Sequence, residues 1–140
     1  MFVGVCLLPA ICMAKNVTYN PAQVMQFSLT NQCTHCDLSS MDLEKQAGSN
    51  HSGANLQGAN LSNVLFQGNL SHANLKNTNL VNAVFTDANL SEADFTGASL
   101  YKVSFSSANL YGAKITAAQL AQVSNLCEAI LPDGSRGKCG

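Results

Sequence analysis

From Ala54 to Ala117 a large apolar residue returns at every fifth place, with a single shortened step. Read in fives, the chain gives ANLQG, ANLSN and VLFQG, then ANLKN, TNLVN, AVFTD, ANLSE, ADFTG, ASLYK, VSFSS, ANLYG and AKITA. The central residue is Leu56, Leu61, Phe66, Leu75, Leu80, Phe85, Leu90, Phe95, Leu100, Phe105, Leu110 and Ile115 in turn. Two places before it stands Ala, Val or Thr, and the other three positions are mostly polar. A helical face needs a period near 3.6 and a half-buried strand a period of 2, so neither accounts for the spacing. A backbone that turns a corner every five residues does. The large residue then fills the inside of each short side, and the small one fits beside it near the corner. Successive coils stack at roughly 4.8 Å, the strand-pairing distance.

This pattern resembles the pentapeptide-repeat family, whose unit is A(D/N)LXX. The resemblance implies an all-β solenoid, a right-handed quadrilateral β-helix with a packed interior. Two irregularities interrupt the count. Leu70 follows Phe66 by four residues rather than five, and the missing residue is expected to be absorbed at a corner. Counted by sides, Phe66, Phe85 and Phe105 still share one face and form a core stack. Upstream, CDLSS and MDLEK are good units, after which Gln46–Gly48 is expected to bulge as a loop. His51 then occupies a central place normally held by Leu, and is expected in the frayed part of that loop rather than as a ligand.

The boundaries expected are a signal peptide over 1–14, a capping helix and CxxC segment over 15–35, the β-helix over 36–115 and a C-terminal cap over 116–140. The opening run MFVGVCLLPAICMA is apolar and too short to cross a bilayer, which takes roughly 20 residues. It fits the apolar region of a secretory signal, with Cys12 and Ala14 as small residues ahead of Lys15, although no basic residue precedes it. Solenoid ends need covers for their cores and strand edges. Asn20-Pro21-Ala22-Gln23 reads as a helix start, predicting a helix to about Ser28 with Val24, Phe27 and Ser28 on one face. Thr116-Ala117-Ala118-Gln119 predicts a second, from Ala117 to about Val123, with Leu126, Ile130 and Leu131 over the last coil. Pro132-Asp133-Gly134 is a turn.

Loss of a signal would leave Cys33, Cys36, Cys127 and Cys139, an even set suited to disulfides in an oxidising compartment. Cys127 and Cys139 are expected to close the tail. The head pattern CxxCDL and the tail pattern C…PDG…C look like those of exported members of the family. Cys33-Thr34-His35-Cys36 is the motif with most chemical potential: a structural pair, half a metal site with His35 and His51 in reach, or a redox pair. The repeat frame points both sulfurs inward, favouring the structural pair, so neither a metal nor a cofactor is expected.

No Ser/His/Asp grouping, phosphate-binding glycine loop or calcium repeat is present, and Asp87, Glu92 and Asp94 fall on different sides of the coil as solvating charges. A filled interior leaves no substrate pocket, so an enzyme is not expected. Charged residues are 11% of the chain, against about 25% in typical domains. From Cys36 to Gln122 six acidic residues face four lysines, a net of −2. No basic field is present to attract nucleic acid. One apolar strip stands out: Leu65, Val81, Val84 and Tyr101 flank one corner and form a candidate contact surface. The leading reading is an exported, non-enzymatic structural or protein-interaction module with a protein or cell-envelope partner. It would be periplasmic, or else in the thylakoid lumen or secreted, with no stable membrane insertion after cleavage. The alternatives are a DNA mimic that binds topoisomerase, which the weak negative charge disfavours, and a thiol- or metal-binding protein built on the CxxC. A surface that binds ice or a crystal is a remote further option, because the Thr and Ser residues form no uniform array.

Overall fold

The computed structural model describes residues 20–41 and 50–140; the expected signal segment 1–14 and the Gln46–Gly48 loop lie outside them. Helix α1 spans Pro21–Thr30. Asn20 starts it by accepting the Ala22 N–H at 3.0 Å, and Pro21 supplies a helical φ where no donor is needed. Asn31 ends it in the left-handed conformation at φ 55°, its own N–H bonded to the Phe27 carbonyl. The helix runs two residues past Ser28, because this cap forms at Asn31.

Beyond α1 the chain coils through four columns of parallel pairings. Asn50, Asn69, Asn89, Asn109 and Ile130 form one column, and Gln32, Asn55, Asn74, Asp94 and Lys114 the next. Asp37, Asn60, Asn79 and Ser99 form the third, and Leu65, Val84, Ser104 and Asn125 the fourth. Each side pairs through isolated bridges rather than extended strands, since a corner interrupts the ladder every few residues. The pairing begins before Cys36 and continues beyond Ile115, so the coil is longer than its well-formed repeats.

The repeat chemistry explains each corner. The residue before the central one is usually Asn or Asp. Its side chain accepts the N–H two residues on, as from Asn74 to Lys76 (3.2 Å) and Asn89 to Ser91 (3.1 Å). The residue two after the centre takes φ near +60°: Asn63, Asn77, Asn82, Asp87 and Glu92 all do so, as does Gly97 at 73°. Asn and Gly carry the smallest penalty there. The shortened step is absorbed at Gly68, whose φ of 154° is open to glycine. The coil that spans it repeats in 19 residues and the next two in 20, as Asn50–Asn69, Asn69–Asn89 and Asn89–Asn109 show.

The central side chains fill the interior. Leu56, Leu75, Leu80, Leu90, Leu100, Phe85, Phe95 and Phe105 are essentially sealed from solvent, with Ala54, Ala73, Ala83 and Ala93 beside them. Thr78 takes the place of one such alanine, and its hydroxyl donates to the Leu75 carbonyl at 2.7 Å. Ring centroids are 6.0 Å apart for Phe66–Phe85 and 5.7 Å for Phe85–Phe105.

After Thr116 the chain leaves the coil for one turn. Helix α2 is Ala117–Leu120, shorter than the sequence suggests. The Lys102 N–H bonds to the Gln122 carbonyl at 2.9 Å, so the chain is back in the coil two residues after the helix. A capping box holds the turn, Thr116 and Gln119 each accepting the other's backbone N–H. The tail then folds back, Ile130 pairing antiparallel with Arg136. Leu126, Ile130 and Leu131 are half-buried at this end.

Candidate functional site

With the interior filled, the described residues present their chemistry on the walls and at the ends. The corner between the third and fourth columns carries the apolar residues. Leu65 pairs with Val84 in the adjoining coil. Val81 and Tyr101 follow the centres of neighbouring coils, the Asn63 N–H reaching the Val81 carbonyl and the Asn82 N–H the Tyr101 carbonyl. Leu65 is 36% exposed and Tyr101 51%, while Val81 and Val84 are half-buried. The Lys102 ammonium lies 5.3 Å from the centre of the Tyr101 ring. Tyr111, also exposed, lies on another side, beside Gly134.

The acidic residues disperse. Asp94 stands between Lys76 (3.5 Å) and Lys114 (3.4 Å), Glu92 beside His72 (3.4 Å), and Asp87 takes a hydrogen bond from Gln67. Partial burial pulls the Asp94 carboxyl upward, but the Thr96 hydroxyl and amide together with Lys114 outweigh it and hold it at about 2. An open cleft of about 500 Å³ lies between this wall and α2, lined by Thr96, Gly97, Lys114, Thr116 and Gln119 among others. Its hydroxyls are already committed, Thr96 to Asp94 and Thr116 to Gln119. Sequence reasoning missed the role of Gln119. Its side-chain amide donates to the Phe95 and Ala98 carbonyls at 2.8 and 3.0 Å, in place of the rung that α2 removes.

The four cysteines among the described residues form two disulfides, Cys33–Cys36 and Cys127–Cys139. The first is buried beneath α1, with the Gln23 carbonyl 3.3 Å from the Cys33 sulfur. The Gln23 side chain also accepts the Asp37 N–H at 2.9 Å. The second is at the exposed tail, where Arg136 pairs with Glu128 at 3.3 Å. Cys127, Glu128 and Cys139 bring potential ligand atoms within 4.8 Å of one another, but the sulfurs are joined to each other, which removes the thiolates a metal would use.

His51 corrects the sequence expectation. It is not in a frayed loop: it is 5% exposed and occupies the central position of its side. The pairing of Asn50 with Asn69, and the bond from the His51 N–H to the Asn69 carbonyl at 2.8 Å, fix it there whatever its polarity. Its ring stacks on Phe27 of α1 at 4.4 Å and lies 6.2 Å from Phe66. Nδ1 meets Asn31 Oδ1 at 2.5 Å, whereas Nε2 is buried without a partner. Burial holds the imidazole below its usual range.

The family model for pentapeptide repeats matches residues 47–68, 69–106 and 88–124, with eight copies in all. The chain belongs to the pentapeptide-repeat family. Among solved structures, this pentapeptide-repeat protein is 30% identical to HetL of the cyanobacterium Nostoc sp. strain PCC 7120, a protein involved in heterocyst differentiation regulation. The match covers 76% of this chain and 51% of HetL at a TM-score of 0.38, so the chain spans about half of HetL's length. It is 22% identical to Rfr23 of Cyanothece 51142, covering 79% and 90% of the two chains at a TM-score of 0.40. It is 19% identical to a pentapeptide-repeat protein of the Arabidopsis thaliana thylakoid lumen, covering 76% and 80% at 0.40. No curated protein sequence matches. Family membership, with the four columns of parallel pairings, makes the fold the right-handed β-helix solenoid of the family. Among the described residues, no helix is long and apolar enough to cross a membrane.

Proposed function

We propose that the protein is an exported, non-enzymatic interaction module that uses its outer wall to hold a protein or cell-envelope component. The observation that carries this reading is the packed interior, which among the described residues leaves walls and ends as the contact surfaces. On the wall, Leu65, Val81, Val84 and Tyr101 form the apolar strip along one corner, and apolar contact surfaces of this kind mark partner sites. At the ends, α1 and the chain from Thr116 onward serve as covers, with Val24 and Phe27 buried against the first coil. Two disulfides agree with an oxidising compartment, the periplasm foremost, with the thylakoid lumen or secretion as the other routes.

Two measurements test it. Fractionation with N-terminal sequencing is expected to find a processed chain beginning at Lys15 outside the cytoplasm. The V81S/Y101S double variant is expected to lose a partner captured from the envelope fraction while keeping its circular dichroism spectrum. Undiminished capture would remove the strip from the reading, and an unprocessed cytoplasmic chain would end it.

A further inference from the structure

The first coil holds a polar group that packing alone does not explain. His51 sits where every regular coil has Leu or Phe, between Phe27 and Phe66, with one ring nitrogen satisfied by Asn31 and the other buried and unpaired. Both Phe27 and Asn31 belong to α1 or its cap. At its other end the same helix covers the Cys33–Cys36 disulfide through Gln23. We propose that His51 is a pH-sensitive latch: as a neutral ring it keeps α1 seated on the first coil, and when charged it releases the helix and opens the Cys33–Cys36 disulfide to reagents.

The Asn31 oxygen accepts, so Nδ1 carries the proton of the neutral ring and Nε2 a lone pair. Adding a proton at Nε2 places a cation and an unpaired donor among phenyl rings and aliphatic side chains, which is costly without a counter-charge. Helix α1 offers none, as its residues PAQVMQFSLT are all uncharged. From Ser52 to Leu70 no residue carries charge. Among the described residues of the first coil, the titratable ones besides His51 are the exposed His35 and Asp37, whose carboxylate is engaged by the Ser39 N–H and the Asn60 amide. Asp42, Glu44 and Lys45 lie in the segment outside the described residues. A histidine held below its free value binds its proton more readily once the helix has left. The seated state is therefore fully favoured above about pH 6.5 and loses ground as the pH falls below it.

The test compares the two disulfides of the full-length protein under limiting water-soluble phosphine. Reduction consumes one phosphine and one water per disulfide and yields two thiols and the phosphine oxide. Thiols are trapped with maleimide and counted by peptide mass spectrometry. The exposed Cys127–Cys139 pair serves as the internal reference for the reagent's own pH dependence. The ratio of Cys33–Cys36 to Cys127–Cys139 reduction is expected to rise at least about threefold from about pH 7.5 to about pH 5.5. Hydrogen exchange in α1, corrected for its intrinsic pH dependence, is expected to rise in parallel. H51L, which restores the repeat pattern, is expected to keep the ratio flat, and H51Q gives the same reading should H51L fold poorly. D42N/E44Q is expected to keep the rise. A flat ratio in the unmodified protein, an equal rise in both His51 variants, or its disappearance in D42N/E44Q would overturn the latch.

Discussion

The coils from Asn69 to Lys114 and the first coil under α1 are built on one register but filled differently. In the regular coils every inward position is Leu, Phe, Val, Ala or a self-satisfied Thr. The first coil carries a disulfide and a buried imidazole in the same positions, and a helix covers it. A middle coil is closed above and below by copies of itself, so any well-packed apolar residue serves. A terminal coil meets a different element on one side, and its residues can bond to that element: the His51 ring to Asn31 and the Asp37 N–H to the Gln23 side chain. The chemistry of such a rod therefore concentrates at its end.

Four substitutions break or sharpen this contrast. The largest effect is expected of F85A. It removes a ring sealed between Phe66 and Phe105 and should cost about 3–5 kcal/mol of global stability in urea titration. F27A removes a ring of comparable size, yet its loss should be smaller, at most about 3 kcal/mol, because α1 can leave its seat without unfolding the coils. Hydrogen exchange should then show α1 unprotected and Asn69–Lys114 unchanged. N89A deletes one corner bond, the Ser91 N–H to Asn89, and should cost about 1 kcal/mol in thermal unfolding. The smallest is D94N, below about 1 kcal/mol, since both lysine partners are substantially exposed. The Asp94 carboxyl is depressed in the folded state, so its contribution is present above about pH 4 and is lost as the pH falls through about 2. Acid titration of the unmodified protein against D94N reads that difference.

The family was legible because its signal is a period, and Leu56, Leu75, Leu90 and Leu110 carry that signal without reference to any distant residue. The helix ends were less so. The stop at Thr30 depends on Asn31 turning left-handed, and the stop at Leu120 on the coil reclaiming the chain at Gln122. His51 was the clearest miss. Its position is set by pairing with Asn69, across the irregular stretch where the five-residue count breaks down, and its tolerance depends on a ring and an amide from α1. The signal available was its place at the centre of SNHSG, which outweighs its polarity. The role of Gln119 could not be seen either, because its acceptors lie 24 and 21 residues earlier in the chain.

The repeated 20-residue offset from Asn69 to Asn89 and on to Asn109 makes this stretch a ruler with removable divisions. Copying or excising one such division lengthens or shortens the rod by a single rung and returns every downstream side chain to the wall it left. Its reach along a partner can thus be altered by whole rungs while the helix-covered end and the disulfide-closed end stay as they are.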